Sequence, residues 1–182
     1  MWFSFIINII FIIRNNTRIN YLFIEIGCVN KMDIMFVCTG NICRSAMAHA
    51  LCEKRVIDSK KENINVFSCG VYAENNDMPT FNAIEATDEY NADLRKHRAT
   101  NIKNSNIEKM DLILCATNSH KIAINDMYPN LKEKTYTLKE YVNFDKDGKD
   151  INIKDPWGYD LETYRFCANE IDKCLELLLK KI

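Results

Sequence analysis

The sequence predicts one α/β domain, in which helices flank a doubly wound, four-stranded parallel sheet. Apolar segments of strand length alternate along the chain with segments of helix length, in the order β-α-β-α-β-α-β-α. Few turn signals separate these segments, and strands that are joined through helices pair in parallel. The 182 residues suffice for one sizeable core and are too few for two comfortable domains.

Each element follows from its own pattern. The predicted strands are residues 34–38, 64–68, 111–115 and 135–138, and the predicted helices are residues 46–56, 79–90, 118–127 and 161–182. The second strand alternates as a half-buried strand does, whereas the third is a near-continuous apolar run, which is typical of a central parallel strand. Thr117 is the expected N-cap of the third helix. In the last helix, apolar residues recur every three or four positions, which predicts one face packed on the sheet.

Residues 1–31 are expected to lie outside this domain, which would comprise residues 32–182. The apolar run at 1–13 is shorter than the roughly 20 residues that span a bilayer. No Lys or Arg precedes it, as a secretory signal would require. A membrane anchor and an extra packed strand are alternatives. We favour a third interpretation, in which Met32 is the true start and residues 1–31 are an upstream extension. The extension is rich in Ile, Asn and Phe, as translated AT-rich DNA would be. We expect it to be poorly packed and without function.

The composition excludes some partners. The net charge of −1 gives no basic excess for nucleic acid, so a local field must attract the substrate. The eight cysteines are dispersed, and no pair has the Cys-x2-Cys spacing of a zinc site. We interpret them as reduced thiols of a cytoplasmic protein. No membrane partner is expected unless residues 1–31 provide one.

The stretch from Cys38 to Ser45 joins the first predicted strand to the first predicted helix. Such a connection forms an anion site, because loop and first-turn N–H groups have no intrahelical acceptors. Gly40 is expected to let the backbone curl with its N–H groups inward, and Asn41 tolerates a left-handed conformation. Arg44 adds a planar fork that suits two oxygens of a phosphate. The stretch therefore predicts a site for a dianion.

Cys38 is the candidate nucleophile at the floor of that site. Helix N-termini and neighbouring cations favour the thiolate form of a cysteine. A thiolate beneath a phosphorus atom is placed for in-line attack. The structural alternative is a buried cysteine before a helix-capping turn, since free cysteine is often buried. The preceding apolar strand, together with Gly40, Asn41 and Ser45, favours the catalytic interpretation.

Residues 37–45, Val-Cys-Thr-Gly-Asn-Ile-Cys-Arg-Ser, resemble the signature of the low-molecular-weight protein tyrosine phosphatases, a family that includes bacterial protein arginine phosphatases. The resemblance extends from Met32 to the C-terminus, with a departure at Ala46, where the family usually has proline. It implies hydrolysis of a phosphorylated protein side chain through a cysteinyl-phosphate intermediate. No metal or cofactor is expected, because Arg44 and the loop amides neutralise the charge. We expect the protein to act as a monomer.

Asp155 is the candidate general acid and base. A phosphorylated leaving group departs poorly as a bare anion, so a positioned acid must protonate it. Pro156 restricts the backbone of Asp155 to an extended form, and Trp157 is expected to shield the carboxyl and form an aromatic wall. The structural alternative is a turn that caps the last helix. The resembling family has its acid in an Asp-Pro-aromatic motif at this place, which favours the catalytic role.

Further residues are expected around the substrate or behind the loop. Those assigned to phosphate and substrate binding, besides Trp157, are Thr39, Gly40, Asn41, Ile42, Cys43, Ser45 and Tyr72. Ser45 is also expected to hydrogen-bond the Cys38 sulfur. Tyr72 follows the carboxyl end of a strand, where ligands bind in open α/β sheets, but it could be an ordinary half-exposed aromatic. By resemblance, Ser68 and His97 tie down Asn41; a lone surface histidine is the alternative.

The phosphorylated residue is the main open choice. Ile42 stands where the resembling arginine phosphatases have threonine, and a branched apolar side chain suits an aromatic ring better than a guanidinium. Thr117, His120 and Lys121 instead resemble the branch that contains the arginine phosphatases. Because chemistry next to the substrate decides specificity more than scaffold ancestry, phosphotyrosine is favoured and phosphoarginine is the alternative.

Two other hypotheses concern the loop cysteines and the class of protein. Cys43 is close enough in sequence to Cys38 for a reversible disulfide that would protect the nucleophile, or it simply packs the loop. Arsenate reduction on the same scaffold is a remote alternative, because the loop after Cys115 contains no relay cysteines. A non-catalytic or membrane-tethered anion-binding module is the other remote alternative.

Overall fold

The computed structural model describes residues 7–15, 18–26, 31–145 and 147–182. The chain divides into two compact units, Met1–Lys31 and Met32–Ile182. Residues 1–6, 16–17 and 27–30 of the predicted extension lie outside the described residues. Within the first unit, β1 (Ile7–Asn15) and β2 (Arg18–Ile26) pair antiparallel, with Ile7 opposite Ile26. Isoleucine, phenylalanine and tyrosine favour such strands. The placement of residues 1–31 outside the domain stays a prediction.

The second unit alternates strands and helices as the sequence predicts. Its strands are β3 (Met32–Cys38), β4 (Ile64–Gly70), β5 (Leu112–Cys115) and β6 (Thr135–Thr137). Its α-helices are α1 (Arg44–Asp58), α2 (Phe81–Asp88), α3 (Asn118–Met127), α4 (Leu138–Tyr141) and α5 (Leu161–Lys181). Short 3-10 helices cover Ile102–Asn104, Ile107–Lys109 and Pro129–Lys134.

The four strands form one parallel sheet in the order β4-β3-β5-β6. This order confirms the predicted doubly wound α/β fold, because the second unit starts with β3, an inner strand, and adds strands on both sides of it. The last residue of β3, Cys38, lies opposite Gly70 of β4, and Val37 lies opposite Cys115 of β5. The carboxyl ends of three strands therefore meet at one edge of the sheet.

Both faces of β3 are buried. Ile34 and Phe36 point into a core formed with α1, α2 and α5. Met35 and Val37 point into a second core, formed with β5, α3 and the 3-10 segments. Successive side chains of a strand alternate between faces, so two covered faces produce the continuous apolar run seen in the sequence.

Two helices begin at other residues than predicted. α1 begins at Arg44 rather than at residue 46. α2 begins at Phe81 rather than at residue 79, because the Thr80 hydroxyl accepts the N–H of Ala83 and caps the first turn. α3 is capped by Thr117, as predicted. The longest helix, α5, buries one face that includes Tyr164 and Cys167. No helix in the described ranges combines the length and apolarity that crossing a bilayer requires.

Candidate active site

The loop between β3 and α1 curls around the sulfur of Cys38. Asn41 has a φ of 55°, and its N–H donates to Cys38 Sγ over 3.3 Å. The left-handed residue is therefore Asn41 rather than Gly40, where a Cβ would only meet Ile42 at 3.6 Å. The N-cap residue Cys43 makes no side-chain cap, and the first turn of α1 contains no acidic residue. No side chain therefore caps the first N–H groups of the helix.

Gly70 allows this loop to lie directly on the end of β4. The N–H of Val71 donates to Cys38 O over 3.0 Å, and the N–H of Tyr72 donates to Thr39 O over 2.9 Å. A Cβ at position 70 would lie 2.5 Å from Thr39 O and 2.8 Å from the Asn41 nitrogen. Only glycine permits so close an approach of two backbones.

Asn41 and Ser45 connect the loop to the nucleophile. Asn41 is fully buried, and its Oδ1 accepts the N–H of Thr100 over 2.9 Å, which fixes the orientation of the amide. Its Nδ2 then donates to Ser45 Oγ at 2.9 Å and to Ser68 Oγ at 3.0 Å. Ser45 Oγ lies 3.0 Å from Cys38 Sγ. The Ser45 hydroxyl therefore accepts from Asn41, and its single proton has two acceptors within reach, Cys38 Sγ at 3.0 Å and Cys69 O at 3.3 Å.

Two histidines support this arrangement from behind. His97 Nε2 donates to the carbonyl of Asn41 over 2.8 Å, and burial lowers the pKa of His97. His49 Nδ1 lies 3.1 Å from Ser68 Oγ, and its Nε2 lies 3.2 Å from Glu53. Sequence reasoning missed His49, because nothing in the helical pattern of α1 distinguishes a residue that faces Ser68. The contacts that hold Asn41 therefore include one histidine, His49, that the sequence did not predict.

Arg44 and Asp155 meet at this site, although 111 residues separate them. Arg44 is 5% exposed, and its Nη2 donates to Asp155 Oδ2 over 2.6 Å and to Thr39 Oγ1 over 3.5 Å. Among the described residues, the buried Nε of Arg44 has no hydrogen-bond partner. The segment before Asp155 is fixed by a bond from the N–H of Ile153 to Ala116 O, and the N–H of Trp157 donates to Asp155 Oδ1.

These residues enclose a cavity of about 210 Å³. Two thiols, a guanidinium, a carboxyl and two large apolar side chains face it. Its lining residues are Cys38, Thr39, Gly40, Ile42, Cys43, Arg44, Asp155 and Trp157. Tyr72, expected as a second wall, is 77% exposed and does not line this cavity. Ser45 and Asn41 lie behind the lining.

Cys43 is held at the side of the cavity. Its Sγ lies 3.3 Å from the hydroxyl of Tyr164 on α5 and 3.6 Å from Thr80 Oγ1. Burial raises the pKa of Cys43, which favours the protonated thiol. Sequence reasoning missed Tyr164, which fits an ordinary core position of α5.

His120 also reaches the loop and was not among the predicted site residues. Its Nε2 lies 2.9 Å from Thr39 Oγ1, and its Nδ1 lies 2.7 Å from Thr117 Oγ1. Its position in the sequence could have indicated a place near the ligand, because His120 lies in the first turn of a helix that follows the carboxyl end of a central strand. Such helix ends surround the ligands of open α/β sheets.

Residues 33–182 match the family described as low molecular weight phosphotyrosine protein phosphatase. A protein-arginine-phosphatase of Bacillus subtilis is 37% identical over 151 residues, which cover 83% of this chain and 97% of the relative. A low molecular weight protein-tyrosine-phosphatase of Staphylococcus haemolyticus is 34% identical over 137 residues, which cover 74% and 88%. The solved low molecular weight protein tyrosine phosphatase from T. tengcongensis has a TM-score of 0.76 at 31% identity, covering 84% of this chain and 100% of that one. This chain therefore belongs to the low molecular weight phosphotyrosine protein phosphatase family and is a phosphatase.

Proposed function

We propose that the protein hydrolyses phosphotyrosine in protein substrates, with Cys38 as the nucleophile, Arg44 as the phosphate-binding cation and Asp155 as the general acid and base. The observation that carries this proposal is the convergence of these three side chains on one small cavity. They come from the end of β3, the start of α1 and the segment before α5. A nucleophile, an oxyanion binder and a proton donor within one cavity meet the requirements of phosphoryl transfer to cysteine.

Phosphate binding is supported by donors that the protein itself leaves available. The first turn of α1 has no capping side chain and no acidic residue, and its dipole favours an anion. The buried Nε of Arg44 has no partner among the described residues, so an oxygen of the substrate would complete its hydrogen bonding. These donors would stabilise the equatorial oxygens during transfer.

The reaction would proceed in two steps. Cys38 attacks phosphorus, the bond from phosphorus to the tyrosyl oxygen breaks, and Asp155 gives its proton to that oxygen. Asp155 then takes a proton from water, which attacks the cysteinyl-phosphate and releases inorganic phosphate and the Cys38 thiolate. Ser45, 3.0 Å from Cys38 Sγ, would donate to the departing sulfur.

The choice of phosphotyrosine is supported by Ile42 and Trp157, the two large apolar side chains that face the cavity. An aromatic ring between them would bury apolar surface on both sides. Asp155 is the single carboxyl among the lining residues, and it is already bound to Arg44. A phosphoguanidinium would therefore find few acceptors for its N–H groups.

Phosphoarginine is the second candidate, because a 37% identical relative is a protein-arginine-phosphatase. Trp157 is 65% exposed, so its face could stack on a guanidinium. Two peptides with the same flanking sequence, one with phosphotyrosine and one with phosphoarginine, separate the candidates. We expect the full chain to give a kcat/KM at least tenfold higher with phosphotyrosine. A higher value with phosphoarginine would reverse the assignment.

Two variants make this comparison sharper. Cys38→Ser should abolish turnover of both peptides, since a serine hydroxyl is a much weaker nucleophile than a thiolate. Ile42→Thr removes apolar surface and adds a hydroxyl in the lining of the cavity. If Ile42 favours the aromatic ring, this variant should lower the ratio of phosphotyrosine to phosphoarginine turnover. An unchanged ratio would show that Ile42 does not determine specificity.

We also infer that residues 32–182 carry the activity and that the protein works in a reducing, cytoplasmic compartment. The first inference is supported by the division of the chain before Met32 and by the family match from residue 33. The second is supported by seven described cysteines that are free thiols, Cys38 among them. Removal of residues 1–31 should leave kcat/KM unchanged, and a marked loss would assign them a role.

A further inference from the structure

His120 has hydrogen-bond partners at both ring nitrogens, although it lies outside the cavity lining. The side chain is buried, at 7% exposure, on the first turn of α3. Nδ1 lies 2.7 Å from the hydroxyl of Thr117, the N-cap of α3, and Nε2 lies 2.9 Å from the hydroxyl of Thr39. A ring bonded at both ends in a buried position cannot rotate freely.

Thr39 connects this ring to the proposed phosphate-binding cation. It follows the nucleophile directly in sequence, and its Oγ1 also accepts from Arg44 Nη2 over 3.5 Å. The contacts therefore run from the helix cap Thr117 through His120 and Thr39 to Arg44. The other protein group bound by that guanidinium nitrogen is Asp155, which a substrate must compete with or displace.

The surroundings keep the imidazole neutral. Burial, and then the positive charge of Arg44, lower the pKa of His120 to about 4, against a smaller opposite effect of Asp155. The next residue, Lys121, forms an ion pair with Glu140 at 2.9 Å. A neutral imidazole has one donor and one acceptor, and the two threonine hydroxyls use both. The ring can thus hold Thr39 without adding a second cation beside Arg44.

We propose that His120 is a positioning residue for phosphate binding, which holds the Thr39 hydroxyl against the Arg44 guanidinium. This inference rests on the proposed function, since it gives Arg44 the phosphate as its ligand. Without the ring, the Thr39 side chain is free to rotate about χ1. Arg44 then loses the Thr39 hydroxyl as a fixed acceptor for its Nη2. The guanidinium would then have to be ordered at the moment of binding, which weakens affinity for the anion.

Two substitutions separate the two contacts of the ring. The side-chain amide of asparagine reaches about as far as Nδ1, and that of glutamine about as far as Nε2. His120→Asn should therefore keep the contact to Thr117 and lose the one to Thr39, whereas His120→Gln should keep the contact to Thr39. We expect His120→Asn to weaken binding of inorganic phosphate about tenfold and His120→Gln to change it less than threefold.

The experiment measures binding of inorganic phosphate to the full chain by calorimetry, so that it does not depend on turnover. Thr39→Val removes the same contact from the other side and should weaken binding as much as His120→Asn does. The double variant should be no weaker than either single one. Ser119→Ala, on an exposed neighbour in the same turn, is the control for changes in α3.

Each outcome decides between the possibilities. Equal losses in the asparagine and glutamine variants, or no loss in either, would overturn the proposal, as would additive losses in the double variant. If His120→Asn does not fold, Thr39→Val carries the test alone, and unchanged phosphate binding in it would overturn the proposal. If the wild-type chain binds phosphate but hydrolyses no aryl phosphate, the proposed function fails while the positioning role of His120 stands.

Discussion

The guanidinium of Arg44 is bound to the carboxyl of Asp155, with 2.6 Å between Nη2 and Oδ2. The arginine side chain is 6% exposed and the aspartate side chain 52% exposed, so the pair spans the site from its interior to its mouth. In the proposed mechanism the phosphate needs the same guanidinium donors. Phosphate and Asp155 therefore compete for one guanidinium.

This contact makes a prediction about affinity. Asp155→Ala removes a competitor for Arg44, so the inhibition constant of inorganic phosphate should fall about three- to tenfold although turnover falls. Steady-state inhibition with an activated aryl phosphate measures it. Asp147→Ala, on an exposed carboxyl of the same connecting segment, should leave the constant unchanged. A weaker inhibition in Asp155→Ala would mean that the carboxyl helps to hold the arginine rather than competing with phosphate.

The acid role makes a separate prediction about leaving groups. Asp155→Asn cannot donate the proton, so turnover of a phosphate ester with a poor leaving group should fall about 10²- to 10⁴-fold. An ester whose leaving group has a low pKa departs without a proton and should lose much less. Burst kinetics across a series of aryl phosphates give the rate of the first step. Equal losses along the series would argue against acid catalysis by Asp155.

The elements that carry the candidate site could be predicted from the sequence because their order along the chain is local. Strand, loop and helix follow one another at Cys38 and Arg44, and the parallel order of the sheet follows from alternation of elements. The position of Asp155 near the loop came from resemblance, because no local pattern links two segments 111 residues apart. The location of Ser68 and His97 next to Asn41 came from the same source.

The residues that sequence reasoning missed depend on tertiary contacts. His49, His120 and Tyr164 lie on helices where each could equally be an ordinary buried or half-buried residue. Their partners are 19, 81 and 121 residues away. The outward direction of Tyr72 likewise depends on a tertiary contact, the hydrogen bond from its backbone N–H to Thr39 O. Such pairings depend on how the elements pack, which no window of sequence contains.

The close approach at Gly70 predicts a loss of activity from a very small change. Gly70→Ala would place a Cβ 2.5 Å from Thr39 O, so the loop or β4 must move. We expect kcat/KM to fall about 100-fold, because a misplacement of about 1 Å in a preorganised site costs that much. The stability loss should be about 1–3 kcal/mol. Gly148→Ala, at a φ of 66° with nothing within 4 Å, should lower stability but leave kcat/KM unchanged. Similar kinetics in both variants would contradict the prediction.

Burial of the histidines predicts how stability depends on pH. The pKa of His120 falls from 6.5 to about 4 on folding, and that of His97 is also lowered. The unfolded chain therefore binds more protons in this window, and stability should be full above about pH 6.5 and lost as pH falls toward 4. Each histidine contributes a slope of at most about 1.4 kcal/mol per pH unit. Urea unfolding at pH 7 and pH 5 measures it, and His120→Asn should reduce the slope. An equal slope in that variant would contradict the assignment.

The position of Cys43 predicts reversible inactivation by peroxide. Cys38 and Cys43 line the same cavity, and the raised pKa of Cys43 makes Cys38 the thiol that peroxide oxidises first. The Cys38 sulfenic acid would then condense with the Cys43 thiol, forming a disulfide and releasing water. Dithiothreitol should restore most of the wild-type activity. In Cys43→Ala the sulfenic acid proceeds to sulfinic acid, so reductant should restore little. Cys174→Ala, on a buried cysteine of α5, is the control and should behave as wild type. Full recovery of activity in Cys43→Ala would contradict the prediction and assign Cys43 to packing against Tyr164.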